Sequence, residues 1–199
     1  MTTNNKIELM APAGNFESLQ AALDNGCDSV YFGVEQLNMR ARASVNFTMD
    51  DLAEIAKRCE AKNVRSYLTL NTIIYDHDLS VVKTLINKAK EANITAVIAS
   101  DQAVIAMARS VGMEVHISTQ LNVTNIETIK FYSLFADTMV LSRELSLRQV
   151  KKITEQIEKE QIKGPNGNLV EIEIFGHGAL CMAVSGKCYL SLHSHNSSA

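Results

Sequence analysis

Short apolar runs rich in β-branched residues return along this chain roughly every 20–35 residues, the length of one strand–helix unit. Between them lie segments whose apolar residues recur at helical spacing. That alternation constrains the fold more than any other feature. Each helix carries the chain back to the starting edge of the sheet, so successive strands must run parallel.

The spacing predicts strands over 7–10, 29–32, 66–71, 96–99, 115–118 and 138–141. A seventh opens at Val170, where Ile172 and Ile174 alternate with Glu171 and Glu173. Ala11-Pro12-Ala13-Gly14 is expected to end the first strand. Asn15 then caps a helix that presents Phe16, Leu19, Ala22 and Leu23, stopped by Asn25-Gly26. Thr48 to Asp51 reads as a capping box with Asp in place of Glu, ahead of Leu52, Ile55, Ala56 and Cys59. Asp78 and Ser146 stand where later helices begin, and Gly164-Pro165-Asn166-Gly167 reads as the turn into the seventh strand.

There is also an internal echo. Residues 26–33, 93–100 and 135–142 each run from a polar turn into a buried strand, and they fall on the second, fourth and sixth strands. An even-numbered echo fits a (β/α)8 barrel, whose interior layers draw on alternate strands. The expected class is α/β: an incomplete, TIM-like (β/α)8 barrel of about seven βα units with its closing strand missing. It forms one domain over 1–199. An open doubly wound sheet is the alternative, but no Gly-x-Gly-x-x-Gly follows the first strand.

The chain has 199 residues, 46% of them hydrophobic, and a net charge of −3, which suits one globular domain with a full core. The mild acidity excludes a bulk nucleic-acid binder, though not a local basic patch. No run of ~18 apolar residues is present, so no membrane partner is expected and the cytoplasm is the inferred location. In that compartment the four cysteines read as thiols or metal ligands rather than disulfides.

The seventh strand runs into a loop holding Gly176, Gly178 and Gly186 together with Cys181 and Cys188. Loops at strand ends are where α/β proteins place their chemistry. The order Glu173, Phe175, Gly178, Ala179, Leu180, Cys181, then Ser185, Gly186, Cys188 and Ser191 resembles the signature of the collagenase-like peptidases, peptidase family U32. Ala11 to Gly14, Leu70 to Thr72, Ser118 to Gln120 and Leu141 to Ser146 also resemble that family, so the likeness covers the whole chain.

The resemblance implies that Cys181 and Cys188 are the first pair of metal ligands of a four-cysteine 4Fe-4S cluster. Two small residues packing a loop is the competing reading. It also implies that the family's chains run on past such a segment. This sequence therefore reads as a fragment cut within the cysteine loop, with open edges on its first and last strands. Open edges invite association, and a homo-oligomer that covers them is the alternative.

Some members of the family are implicated in hydroxylating RNA bases without molecular oxygen. One branch acts at the tRNA wobble uridine with prephenate as co-substrate, and another at a cytidine of large-subunit rRNA. The runs at 141–147 and 177–183 look closest to those branches. RNA is therefore the expected partner of the parent protein. The alternatives are a protease and an inactive fragment or partner of another cluster protein. No His-Glu-x-x-His or Gly-x-Ser-x-Gly motif supports peptide hydrolysis.

In a barrel, function gathers at the carboxyl ends of the strands. Arg40 and Arg42 follow the second strand, Asn71 ends the third, Asp101 follows the fourth and Gln120 the fifth. Arg143 and Glu144 follow the sixth, and His177 the seventh. Arg40, Arg42, Asn71, Gln120 and Arg143 are the expected substrate-binding residues, since guanidinium forks suit carboxylates and phosphates. His177 and Glu144 are the expected acid–base pair. The competing readings are a solvated loop for Arg40 and Arg42, an ion pair or helix-start charge for Arg143 and Glu144, and a hydrogen-bonded loop residue for His177. His116 reads as a satisfied interior histidine, and Cys27 and Cys59 as core residues.

Overall fold

The computed structural model describes residues 7–34, 47–178 and 183–186. Arg40, Arg42, Cys181 and Cys188 lie outside them. Seven strands form one parallel sheet in the order of the sequence: β1 (Met10–Ala13), β2 (Ser29–Gly33), β3 (Arg65–Leu70), β4 (Ala96–Ala99), β5 (Glu114–Ile117), β6 (Thr138–Val140) and β7 (Glu171–Glu173). Six helices link them: α1 (Phe16–Asp24), α2 (Leu52–Glu60), α3 (Leu79–Glu91), α4 (Gln102–Ser110), α5 (Ile126–Tyr132) and α6 (Leu147–Glu160). This is the incomplete (β/α)8 barrel. Among the described residues, β1 pairs with β2 alone and β7 with β6 alone.

The first strand lies three residues later than its sequence pattern suggests. Ala11-Pro12-Ala13 belongs to β1, with Pro12 in register with Tyr31. Proline lacks the N–H that a central strand must donate, but an edge strand tolerates it.

Helix starts follow local hydrogen bonding. Asn15 and Ser18 exchange bonds in a capping box, Asp101 accepts the Ala103 N–H at 2.8 Å, and Ser146 pairs reciprocally with Gln149. Thr48 and Asp51 form the expected box ahead of α2. The helix ends share one device. The N–H groups of Cys27, Val64, Ile94, Met113 and Ile162 each donate to the carbonyl five residues back, at the ends of α1, α2, α3, α4 and α6. Each closes a helix and turns an apolar residue into the core.

The main core lies between the sheet and the helices. Val30, Phe32, Leu68, Leu70, Val97, Ala99, Val115, Ile117 and Met139 face the buried stripes of the helices, such as Leu52, Ile55 and Cys59 of α2. Each fully buried aliphatic side chain contributes about 1.5–3 kcal/mol. The opposite face of the sheet lines the barrel interior, where Tyr67, Ala96 and Ile98 pack with Met10 and Tyr31. The turn at 164–167 folds onto Asp137, whose Oδ1 accepts the Asn166 N–H at 2.9 Å. A Cβ at Gly164 would stand 2.8 Å from the Asp137 Cα, so only glycine fits there.

Candidate functional site

The carboxyl ends of β3, β5 and β6 meet in one band of polar side chains. Asn71 Nδ2 donates to Ser118 Oγ at 3.1 Å, which joins the ends of β3 and β5. Ser118 caps the single 3-10 turn Thr119–Leu121 that holds half-buried Gln120. The turn ends at Asn122 in the left-handed region (φ 53°), and Asn122 Oδ1 accepts the hydroxyl of buried Ser142 at the end of β6. Asn71 and Gln120 are therefore brought together, as the sequence suggests.

Arg143 and Glu144 share a task. Arg143 donates from its backbone N–H and its Nε to Ser185 Oγ, each at 3.3 Å, and from Nη2 to the Ala183 carbonyl at 3.2 Å. Glu144 Oε1 accepts the Ser185 N–H at 2.8 Å. Burial pushes the Glu144 carboxyl up, but the bonds from Ser185, from its own backbone and the charge of Arg143 outweigh it and hold the group below its ordinary value.

The other side of this segment rests on the turn after β5. Gly186 has φ 72°, and a Cβ there would lie 2.3 Å from the Gln120 carbonyl oxygen. Ser185 is 1% exposed. The segment 183–186 stands in sequence between Cys181 and Cys188, so the middle of the cysteine loop is fixed to the rim at β5 and β6.

The remaining predicted residues divide. His177 is exposed and takes no hydrogen bond from another described residue, so it does not pair with Glu144. Asp101 serves as the cap of α4. Cys27 and Cys59 are buried in the outer core. Burial, with Cys27 nearby, pushes the Cys59 thiol up to about 11. Neither is placed to ligate at the rim. Among the described residues no group of three or more His, Cys, Asp and Glu could hold a metal ion.

A second polar cluster, which sequence reasoning missed, fills the barrel interior. Tyr67 Oη donates to Glu8 Oε1 at 2.8 Å, and Glu8 pairs with Arg65. The Tyr67 ring lies against His116, centroids 4.6 Å apart. His116 Nε2 bonds Glu114 Oε1 at 3.0 Å, a bond that holds Glu114 below its ordinary value. Glu173 points inward from β7, and burial raises its carboxyl. The alternation at 170–174 carried the signal, since Ile172 packs against the helix-side core and leaves Glu171 and Glu173 on the other face.

Comparison with known proteins agrees with the fold and names the family. The structure of the U32 peptidase Mk0906 superposes with a TM-score of 0.64 at 14% identity, covering 87% of this chain and 69% of that one. A collagenase of Porphyromonas gingivalis is 58% identical over 98% of this chain and 47% of its own length. A protein of Bacillus subtilis named tRNA hydroxylation protein P1 is 32% identical over 94% of this chain and 42% of its own length. The 23S rRNA 5-hydroxycytidine C2501 synthase of Escherichia coli is 32% identical over 95% of this chain and 27% of its own length. The chain thus spans less than half the length of these three relatives. Among the described residues no helix is long and apolar enough to cross a membrane. The profile of peptidase family U32 matches residues 14–199, and the chain belongs to that family.

Proposed function

We propose that the protein to which this barrel belongs is an RNA base hydroxylation enzyme that works without molecular oxygen. Its substrate is a tRNA wobble uridine or a large-subunit rRNA cytidine. The carrying observation is that the cysteine loop is fixed to the strand-end rim by Arg143 and Glu144. Relatives matched over 94% and 95% of this chain are named for tRNA hydroxylation and for rRNA hydroxycytidine synthesis.

In this reading Cys181 and Cys188 are two ligands of a 4Fe-4S cluster, which supplies electron transfer when bound. The chain's own residues do the rest. Asn71, Ser118 and Gln120 offer amide and hydroxyl groups at the mouth for the edges of an extruded base. Arg143, with Arg40 and Arg42, provides cationic groups for phosphates or for a dicarboxylate co-substrate such as prephenate. His177 is exposed where it can exchange a proton with bound substrate. RNA is the macromolecular partner, and self-association is assigned to the edges of β1 and β7.

Peptide hydrolysis is the second reading, favoured by the 58% identical collagenase. The rim geometry suits it less. The buried hydroxyls of Ser142 and Ser185 are bound to Asn122 and Arg143, neither of which can act as a base. Nucleoside mass spectrometry on tRNA and rRNA from a strain lacking the gene tests the proposal. Loss of one hydroxylated nucleoside, restored by the gene, is the expected outcome. Unchanged nucleosides together with peptide cleavage by the purified protein would reverse the order.

A further inference from the structure

The chain is acidic overall, yet one stretch beside the rim is basic. Residues 143–152 hold Arg143, Arg148, Lys151 and Lys152 against a single carboxylate, Glu144, which is taken by the Ser185 N–H. The stretch runs from the end of β6 through the residues that hold Ser185 and into the first two turns of α6. Ile153 and Ile157 turn one face of α6 into the core, and Arg148, Lys151 and Lys152 stand exposed on the other.

Helix energetics do not account for this arrangement. The positive end of a helix favours acidic side chains, and α1, α2 and α5 carry Glu17, Glu54 and Glu127 in their first turns. α6 has no acid in its first turn and carries Arg148 there, while Glu158 and Glu160 stand at its far end. Residues three and four apart on a helix are neighbours, so Arg148 stands beside Lys151 and Lys152, like charges that repel. The nearby carboxylates are engaged elsewhere. Glu127 and Glu160 both pair with Lys130, at 2.9 and 2.8 Å, and Glu155 meets Lys151 at 3.8 Å. Among the described residues Arg148 and Lys152 have no ion-pair partner. The two stand one helical turn apart, about 6 Å along the axis. On an open helix surface a contact between two single charges is worth little, and a partner is held only when it brings several charges at once. A row of phosphates does so, and each cation it meets releases a counterion.

We infer that the first two turns of α6 are the docking surface for the phosphate backbone of the RNA, with Arg148 and Lys152 each on a phosphate and Lys151 exchanging Glu155 for a third. The inference rests on the RNA reading above and adds the path of the strand, which crosses the rim at β6 and lies along α6. The three residues position the strand and take no part in the chemistry.

The test is binding of the 199-residue chain to tRNA and rRNA from a strain lacking the gene, followed from about 50 to 200 mM salt. The variants are Arg148→Gln and Lys152→Gln. Lys159→Gln, at the far end of the same helix, is a control of equal charge change. All three leave Ile153 and Ile157 in place, so the helix keeps its seat on the core. Each of the first two is expected to weaken binding about threefold or more at 200 mM salt. Each is also expected to lower the slope of log K against log salt by about 0.7–0.9. Lys159→Gln is expected to match the unsubstituted chain. Salt-dependent RNA binding that is equal in all four proteins overturns this surface and leaves the RNA reading intact. No RNA binding by the unsubstituted chain overturns the surface, and together with unchanged nucleosides in the deletion strain it overturns the RNA reading as well. Polyglutamate or phosphatidylglycerol vesicles, bound through Arg148 and Lys152 as tightly as RNA, would overturn the assignment to RNA in favour of an acidic protein or a membrane.

Discussion

The carboxylate of Glu144 accepts the backbone N–H of Ser185 at 2.8 Å across 41 residues of chain. Arg143, its neighbour, holds the same serine by its hydroxyl. Two adjacent charged residues after β6 therefore act on one short segment, and that segment stands between the two cysteines of the signature.

Glu144→Ala is expected to free the Ser185 amide. The cost is about 1 kcal/mol, because the carboxylate is largely solvated and its bond is worth correspondingly less. Hydrogen exchange at Ser185 should quicken while the amides of β5 and β6 keep their protection. Unchanged exchange at Ser185 would mean that the bond does not hold the loop.

Gly186→Ala tests the same seat from the other side. The left-handed backbone alone costs an alanine about 1–2 kcal/mol, and the new methyl would meet the Gln120 carbonyl. Limited proteolysis should cut near 183–188 sooner than in the parent, with the denaturation midpoint of the barrel little changed. Equal cleavage rates would contradict the contact.

Glu173→Gln addresses the buried carboxyl. Burial raises its value above the ordinary 4.5, so the folded state binds that proton more tightly than the unfolded chain does. The stability this confers is present below 4.5 and is lost as pH rises through the raised value. The glutamine variant should lack that loss and should be the more stable of the two at neutral pH. Urea midpoints from pH 4 to 8 check this. A parent and variant that lose stability in parallel would exclude it.

Cys27 and Cys59 should resist alkylation in the folded chain at pH 8. Both are buried, and the Cys59 thiol is pushed up to about 11. Mass-resolved labelling should modify them only on unfolding, slower than an exposed thiol by at least about a hundredfold. Rapid labelling of Cys59 in the native state would place it elsewhere.

The architecture was legible because its determinants are local. Asn15, Asp101 and Ser146 begin helices by bonding to their own backbone, and the apolar period of each βα unit survives without knowledge of its neighbours. Position along the rim was legible too, since topology alone brings the ends of β3, β5 and β6 together. The roles were harder to read. Whether Arg143 faces substrate or the chain's own Ser185 depends on contacts between residues some forty positions apart. The interior cluster was missed for a related reason. A glutamate on an edge strand reads as a solvated face; the alternation sets Glu173 opposite Ile172, and the pairing of β6 with β7 makes that face the barrel interior. Proline ordinarily ends a strand, and only the edge place of β1 lets Pro12 remain within one.

Spatial order in the sheet equals order along the polypeptide. A ribosome releasing this chain delivers each new strand beside the one it has just laid down, so every pairing involves the most recent unit. Assembly of these seven strands can proceed in step with synthesis, each pairing forming as its second strand emerges.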